Sequence, residues 1–249
     1  MKTLINYNNK NYQIDLSGPM DISIPLRASE DNVTAWYVDV PKFDPVMEKG
    51  FIGDVNQGGA VNFRNVSFNP HGNGTHTECV GHISKETYTI NQCLKEFFFL
   101  AQLVSIEPEM IDNDHVITEE QIIRVWKNAG TTAIIIRTLP NTDAKLSRHY
   151  SNTNPAYIDY KAVQFLIDKG INHLLIDTPS IDREEDGGEL KAHHVFWEYP
   201  KNTQTQRTIT EFVFVPDVIE DGFYFLNMQI TSFENDASPS KPVLFKIMD

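Results

Sequence analysis

The fold of this protein is decided by residues 154–176, which read NPAYIDYKAVQFLIDKGINHLLI. Asn154 and Pro155 are typical of a helix cap and a first helical position, and Gly170 is typical of a helix end. Apolar residues recur between them at helical spacing, at Ile158, Ala162, Phe165 and Leu166. The apolar run 171–176 predicts a buried strand directly after this helix.

A second helix and strand are predicted just upstream. Thr118 and Gln121 are spaced as a capping box, in which each side chain bonds the backbone amide of the other residue. The apolar residues of this helix are Ile122, Val125, Trp126 and Ala129. Gly130 predicts the helix end, and the run 133–136 predicts a strand buried on both faces. This strand–helix–strand order implies a parallel pair joined by a right-handed crossover.

The C-terminal part of the chain differs from this centre. Residues 207–215 and 223–230 are rich in strand-forming residues without helix signals between them, so they predict antiparallel strands. No repeat or linker divides the chain. The sequence therefore predicts one domain, residues 1–249, of mixed, strand-rich α/β class with a central parallel strand–helix–strand core and flanking antiparallel strands.

Composition argues against several classes of protein. The 249 residues include 34 acidic and 21 basic side chains, and the net charge of -13 disfavours nucleic acid as a partner, because such binding needs a basic surface. Cys79 and Cys93 are too few for a disulfide framework, which favours a reducing compartment. The N-terminus lacks a signal-peptide core, and no segment reaches the roughly 20 apolar residues of a membrane span. We expect a cytoplasmic protein without a membrane partner.

Histidines concentrate in residues 69–82, which read NPHGNGTHTECVGH. On an extended segment His76 and Glu78 point to the same face, where an imidazole and a carboxylate can share a cation. The interleaved glycines let the backbone turn sharply, so that His71 and His82 can approach the same point. These four residues form a candidate metal site, whereas isolated histidines elsewhere are expected to be structural.

Three neighbouring features are less specific. Cys79 is either a thiolate ligand or nucleophile, or a buried structural cysteine, and its expected orientation away from Glu78 favours the second interpretation. The pair 193–194 is the other concentration of histidine. Ser180 and Asp182 follow a predicted parallel strand, so they either orient the loop that carries this pair or form a turn with a helix cap.

The segment 74–82, GTHTECVGH, resembles the signature of the cyclase family, which includes bacterial kynurenine formamidases and isatin hydrolases. Segments 133–138 (AIIIRT) and 170–182 (GINHLLIDTPSID) are similar to later parts of the family pattern. Thr210-Glu211 resembles the point at which the family provides a glutamate ligand. The resemblance covers roughly residues 20–245, and it implies a single domain of the swivelling β/β/α type.

The resemblance also implies roles for the site residues. The resemblance implies metal ligands at His76 and Glu78, and at Glu211 with one of His193 and His194 near a second metal, whereas His71 is a candidate ligand from local geometry alone. His82 is implied as a general acid/base that does not bind metal. Imidazole with carboxylate suits one or two divalent ions, zinc first and manganese or iron next. The chain departs from the usual pattern at Glu78, where aspartate is usual, and at His71, which lies one residue further from His76.

By this resemblance, the chain is expected to be a metal-dependent hydrolase that cleaves an N-formyl aromatic amide or a cyclic lactam by metal-activated water, as an arylformamidase of tryptophan catabolism does. Trp36 is expected either to line an aromatic substrate pocket or to pack in the core. Two alternatives stay open, a polyketide-type cyclase or dehydratase and a metal-binding relative without activity. A cupin is excluded, because cupins are small jelly rolls with a His-x-His pair. The resemblance favours a homodimer or homotetramer that acts on a small molecule.

Overall fold

The computed structural model describes residues 1–127 and 129–248. The strands are β1 (Lys2–Tyr7), β2 (Lys10–Asp15), β3 (Met20–Asp21), β4 (Lys42–Pro45), β5 (Met47–Glu48), β6 (Phe51–Ile52), β7 (Arg64–Ser67), β8 (His76–Glu78), β9 (Phe98–Ile106), β10 (Glu109–Ile111), β11 (Asp114–Ile117), β12 (Ala133–Thr138), β13 (Tyr157–Ile158), β14 (His173–Ile176), β15 (Thr208–Glu211), β16 (Gly222–Ile230) and β17 (Ala237–Met248). The α-helices are α1 (Ile90–Cys93), α2 (Glu119–Val125), α3 (Tyr160–Asp168) and α4 (Lys191–Trp197). Single 3-10 turns occupy Val55–Gln57, Val80–His82 and Asp143–Leu146.

In the described part of the chain ten strands share one sheet, and seven of them close into a barrel. The order around the barrel is β8, β17, β16, β9, β12, β14 and β15, and β15 pairs back to β8. Neighbours from β9 to β15 are parallel, whereas β16, β17 and β8 are antiparallel to the strands beside them. Helix α3 lies in the crossover from β12 to β14. The predicted strand-rich α/β class with a parallel strand–helix–strand core is therefore confirmed.

Strand β12 has an apolar sequence because both of its faces are buried. Ile134 and Ile136 pack with α3 residues such as Leu166 in one cluster outside the barrel. Ala133 and Ile135 belong to a second cluster with the strands around them. A parallel strand covered on both faces needs apolar residues at consecutive positions. Each fully buried isoleucine stabilises the fold by about 1.5–3 kcal/mol relative to exposure.

Helix α3 begins later than the sequence predicts. Its cap is Asp159, whose side chain accepts a hydrogen bond at 3.0 Å from the amide two residues on. Asn154, the predicted cap, lies upstream with a φ of 46°. The predicted start was wrong because residues 157–158 form β13, which pairs with β11. That contact is tertiary, so helical periodicity cannot reveal it.

Helix α2 starts as predicted and ends early. The capping box between Thr118 and Gln121 is present. The helix ends at Val125, however, and does not continue to Gly130 as predicted. Gln102 of β9 supplies the reason, because its amide nitrogen donates to the Val125 carbonyl oxygen at 2.9 Å and its Oε1 accepts from a backbone amide beyond the helix at 3.1 Å. A side chain of the neighbouring sheet thus replaces the next helical turn.

The antiparallel expectation holds for one C-terminal strand and fails in part for the other. Strand β16, within the predicted segment 223–230, is antiparallel to both neighbours. Strand β15, within 207–215, is antiparallel to β8 but parallel to β14. Its position beside β8 sets His76 opposite Glu211. Among residues 1–127 and 129–248, no helix has the length and apolar character that a membrane crossing requires.

Candidate metal centre

Two adjacent strands bring the first candidate ligands together. The His76 Nε2 atom of β8 lies 3.4 Å from the Glu211 Oε2 atom of β15. Glu78 lies two residues along β8, so its side chain shares the face of His76, as the period of a strand requires. All three side chains are buried. The extended segment predicted from the sequence is present and supplies His76 and Glu78, and its pairing with β15 adds the carboxylate of Glu211.

Two of these buried atoms have no hydrogen-bond partner among the described residues, and both face the cluster. His76 Nδ1 lies 3.0 Å from the Gly74 carbonyl oxygen, which can only accept, so Nδ1 carries the proton and Nε2 keeps its lone pair. Nε2 of His76 and Oε2 of Glu78 are the unpartnered atoms. Glu78 Oε2 lies 3.1 Å from His71 Nδ1, but the two groups are not aligned for a hydrogen bond. Because buried polar atoms are normally paired, this pair fits the ligands of a cation.

Two histidines outside the strands, His71 in a turn and His82 at the end of the 3-10 turn Val80–His82, complete this side of the centre, and one carboxylate contacts both. His71 Nε2 lies 2.9 Å from Asp236 Oδ2. His82 Nδ1 lies 3.3 Å from the same oxygen and 3.8 Å from Glu78 Oε2. The rings of His71 and His82 are 4.4 Å apart between centroids. The two histidines and the two carboxylates of these contacts therefore lie together in a single small volume.

The glycines of the cluster matter because they leave room for neighbouring atoms, and not because they adopt a left-handed φ. A β-carbon at Gly72 would lie 2.5 Å from a methyl group of Val38, and one at Gly81 would lie 2.1 Å from the Tyr88 carbonyl oxygen. Neither glycine has a left-handed φ, but Gly72 lies in a turn and Gly81 in the 3-10 turn Val80–His82, so the predicted turns are present. Their contribution is the close approach of backbone segments that only a residue without a β-carbon permits.

Asp236 is a candidate functional residue that the sequence analysis missed. It lies between β16 and β17, 154 residues after His82. The Cys79 amide donates to the Asp236 carbonyl oxygen at 3.0 Å, which holds this loop beside β8. The Cys79 side chain is buried in the core, in line with the structural interpretation. No local pattern marks Asp236, because only the closure of β17 against β8 brings it to the histidines.

His193 is the member of the histidine pair that faces the centre. Its Nε2 lies 3.2 Å from Glu78 Oε1 and 3.9 Å from Glu211 Oε1. Asp182 accepts hydrogen bonds from His193 Nδ1 at 2.6 Å and from the His193 amide at 3.0 Å. Ser180 Oγ accepts from the Asp182 amide at 3.0 Å. Asp182, held by Ser180, thus orients the imidazole and bonds the first turn of α4.

His194 lies outside the cluster and is not a ligand candidate. Its Nδ1 is 3.1 Å from the Tyr199 carbonyl oxygen, and its ring lies beside the Tyr199 ring at 5.8 Å between centroids. Consecutive residues of an α-helix point about 100° apart, so the two neighbouring histidines cannot face the same point. His193, rather than His194, therefore faces the cluster in this structure.

The carboxylates of the centre favour positive charge on the histidines beside them. Burial opposes a charged imidazole, but Asp236 and Glu78 raise the pKa of His71 to about 10. Asp182 and Glu78 likewise outweigh burial and raise the pKa of His193 to about 10. Burial also opposes ionisation of Glu78, yet the surrounding histidines hold its pKa well below the usual value. Positive charge is therefore favoured at this point, and a divalent cation carries the same sign.

A cavity of about 400 Å³ opens onto the cluster. The site residues that border it are His71, His82, Ser180, His193 and Glu211. Trp36 and Leu190 form part of its wall, and both have a left-handed φ, 58° and 42°. Trp36 also packs against a small core cluster, so both sequence interpretations hold in part. A second cavity of about 450 Å³ is lined by no histidine, so the first is the candidate substrate cavity.

The spacing of the donor atoms suits an ion. Among the described residues, three sets have ligand atoms that all lie within 4.8 Å of one another, namely His71, His76 and Glu78; Glu78, His82 and His193; and His71, His82 and Asp236. Nitrogen and oxygen donors of this kind suit zinc, manganese or iron. Glu78 belongs to two of the sets and is the carboxylate that connects them.

The chain is similar to known proteins in sequence and in fold. The "Putative cyclase" family model matches residues 14–183, more than half of the chain. No protein of curated function matches the sequence. The similarity to solved structures covers nearly the whole of this chain and nearly the whole of each solved chain.

Three solved structures illustrate that likeness. "Isatin hydrolase A" from Ralstonia solanacearum is 13% identical with a TM-score of 0.69, covering 92% of this chain and 91% of that one. A structure described as a "potential metal-dependent hydrolase with cyclase activity" is 16% identical with a TM-score of 0.66, covering 93% and 99%. A "predicted metal-dependent hydrolase" from Bacillus stearothermophilus is 17% identical with a TM-score of 0.62, covering 92% and 98%. At these identities the likeness shows the fold, and the family match shows that the chain belongs to the cyclase family.

Proposed function

We propose that this chain is a metal-dependent hydrolase that cleaves an amide bond in an N-formyl aromatic amide or a cyclic lactam. The observation that carries the proposal is the pair of buried, unpartnered atoms, His76 Nε2 and Glu78 Oε2, that face the same point. Leaving such atoms without a partner costs about 1–3 kcal/mol each. A divalent cation would satisfy both, and zinc is our first expectation, with manganese and iron next.

The proposed ligands are His71, His76, Glu78, His193 and Glu211, which allow one or two ions. A cation bound there supplies Lewis-acid polarisation of a carbonyl and lowers the pKa of water to near neutrality. Asp182 holds His193 by its Nδ1, which leaves Nε2 of that ring as the donor atom. The His76 ring is held in the same sense by the Gly74 carbonyl oxygen.

His82 is the proposed general acid/base. Its side chain is 31% exposed and borders the cavity, so a substrate can reach it. Asp236 accepts from its Nδ1, which leaves Nε2 available to take a proton from the attacking water and to return it to the leaving nitrogen. An imidazole suits this task because its ordinary pKa lies near neutral pH.

The cavity supports a small substrate with an aromatic part. Its volume of about 400 Å³ falls within the range typical of small-molecule sites. Trp36 on its wall offers an aromatic face for stacking. One structural neighbour is described as an isatin hydrolase bound to the product analogue thioisatinate, which supports a lactam as one substrate class.

Metal analysis and a substrate panel test this proposal. The purified chain is expected to contain zinc, manganese or iron and to hydrolyse N-formylkynurenine, isatin or a simple N-formyl aromatic amine, with loss of activity in chelator. The variant His82→Ala should lose turnover by roughly a hundredfold or more and keep its metal. The control His149→Ala, at an exposed residue outside the cluster, should keep both.

Three other outcomes would contradict the proposal or a part of it. A chain that binds no divalent metal would sink the proposal and favour a silent relative. A chain that binds metal and converts a polyketide-type substrate but none of these amides would favour the cyclase or dehydratase alternative. Loss of metal in His82→Ala would show that His82 is a ligand and would overturn its proposed role.

A further inference from the structure

A further cavity, of about 270 Å³, lies at the carboxyl ends of two parallel strands and is called the strand-end cavity below. Thr138 is the last residue of β12, Asp177 directly follows β14, and both border this cavity. Ligands of α/β proteins commonly bind at such strand ends. No described residue borders both the strand-end cavity and the candidate substrate cavity, so the two have separate walls.

One side of the strand-end cavity is a buried ion pair whose charges cancel. Lys145 Nζ lies 2.7 Å from Asp177 Oδ2, and it also donates to the carbonyl oxygen and the hydroxyl of Thr138 at 2.6 and 3.0 Å. Asp177 in addition accepts from the Thr138 amide and hydroxyl, each at 2.9 Å. Because these bonds already satisfy both charges, a ligand in the cavity must be bound by other groups of its wall.

Three polar side chains of the wall have no partner in the described ranges 1–127 and 129–248. Tyr150 is only 5% exposed, and its hydroxyl makes no hydrogen bond to any described residue. Arg148 and His115, both exposed, form no ion pair and no side-chain hydrogen bond there. The Arg148 guanidinium lies over the Tyr150 ring, 5.0 Å from its centroid. This cation–π contact holds the guanidinium and the unpartnered hydroxyl at the same cavity.

The charges of this wall favour an anion. Asp177 is the only carboxylate among the described residues that line it, and Lys145 neutralises that charge, so Arg148 leaves the wall positive. The whole chain, by contrast, has a net charge of -13. A guanidinium offers a fork of N–H donors that matches the two oxygens of a carboxylate. Burial and the nearby Asp177 raise the pKa of Tyr150, so its hydroxyl keeps its proton and can donate to an anion.

The rest of the wall indicates what kind of anion fits. It is largely apolar, and its apolar members are Pro108, Leu139, Pro140, Ala144, Pro155 and Ala156. An organic acid can bury its carbon skeleton against these side chains, whereas inorganic phosphate has no apolar part to bury. The volume of about 270 Å³ lies just below the range of roughly 300–1,000 Å³ that is typical of drug-sized ligands. The fitting ligand is therefore a small organic acid.

We propose that the strand-end cavity is a second binding site, for a small organic carboxylate. The carboxylate would accept hydrogen bonds from the Arg148 guanidinium and the Tyr150 hydroxyl, and its apolar body would pack against the prolines and Leu139. The site does not depend on the proposed activity, because none of the candidate metal ligands borders this cavity.

Isothermal titration calorimetry of the full chain with benzoate tests the proposal. Benzoate has a carboxylate and a compact apolar ring, benzamide is its neutral counterpart, and inorganic phosphate is an anion without an apolar part. We expect benzoate to bind, and benzamide and phosphate to bind at least tenfold more weakly at the same ionic strength. Equal binding of benzamide would show that charge is not recognised, and tighter binding of phosphate would rule out an organic acid as the ligand.

Two substitutions locate the binding of benzoate. Tyr150→Phe removes only the unpartnered hydroxyl, so it should weaken binding at least tenfold and leave the thermal melting curve unchanged. Arg148→Gln should also weaken binding at least tenfold. The control Arg124→Gln removes the same charge from an exposed residue of α2 outside the cavity, and it should bind benzoate as the unmodified chain does.

Hydrogen exchange of the unmodified chain gives a readout that does not depend on the folding of a variant. Saturating benzoate should increase the protection of amides within 138–150 and leave those of 71–82 unchanged. The proposal is overturned if benzoate does not bind, or if both Tyr150→Phe and Arg148→Gln bind it as well as the unmodified chain. Affinity that falls in His193→Ala but not in Tyr150→Phe would place benzoate at the metal centre and would also overturn it.

Discussion

The substitution Asp236→Asn tests whether the Asp236 carboxylate positions the two histidines that it contacts. Asp236 Oδ2 accepts from both His71 Nε2 and His82 Nδ1, whereas the amide oxygen of asparagine carries no charge. The backbone carbonyl of residue 236, which bonds the Cys79 amide, is unchanged by this substitution. We therefore expect a folded protein in which the His71 ring is held less firmly with Nδ1 toward Glu78.

The magnitude follows from the stronger of the two contacts. A hydrogen bond to a charged group contributes about 1.5–3 kcal/mol, and the 2.9 Å contact to His71 falls in that class. At about 1.4 kcal/mol per factor of ten, the loss corresponds to a tenfold to hundredfold weaker affinity for metal. Because the Asp236 side chain is 27% exposed, solvent screening places the expected value nearer tenfold.

The assay is competition for zinc or manganese between the protein and a chromophoric chelator. Asp39→Asn is the matched control, because it removes the same charge from an exposed residue that follows the cavity residue Val38 and lies outside the cluster. The control should bind metal as the unmodified chain does. An affinity of Asp236→Asn within twofold of the unmodified chain would refute the positioning role, and an equal loss in Asp39→Asn would show that only net charge matters.

Three further predictions address the pair of histidines, the residue behind it and acid stability. His193→Ala should weaken metal binding by roughly a hundredfold or more in the same competition assay, and His194→Ala should leave it unchanged. Asp182→Asn should weaken it by about ten- to a hundredfold while far-UV circular dichroism stays the same, since Asp182 orients the imidazole. Burial lowers the pKa of His173 from 6.5 to about 3, so the folded state binds fewer protons than the unfolded state between these values. The free energy of unfolding should therefore fall by at most about 1.4 kcal/mol per pH unit as the pH drops from 6.5 towards 3, and urea titrations of His173→Gln should lack this part of the slope.

The parts of the fold that the sequence predicts correctly are those with local causes. The apolar run of β12 and the helical spacing of α3 follow from burial on two faces or on one, which short-range periodicity reports directly. The start of α3 and the end of α2 could not be predicted in this way. Pairing of residues 157–158 with β11 decides the first, and the side chain of Gln102 decides the second.

The candidate site likewise contains residues that the local sequence predicts and residues that only tertiary contacts bring into place. His76 and Glu78 share a face because they are two residues apart on a strand, and this relation is visible in nine letters of sequence. Glu211 was expected from the family resemblance, yet its place opposite His76 depends on the pairing of β8 with β15. Asp236 carried no signal, and the choice of His193 over its neighbour depends on the orientation of α4.

The sequence by itself determined the strand-rich α/β class, the parallel core and the shared face of His76 and Glu78, because each rests on apolar runs or on periods of two or 3.6 residues along the chain. Only the tertiary structure decided that the sheet closes between β8, β15 and β17, which brings Glu211 and Asp236 to His76 and His82. Residues more than a hundred positions apart meet only when the packing of the entire barrel sets the register of its strands.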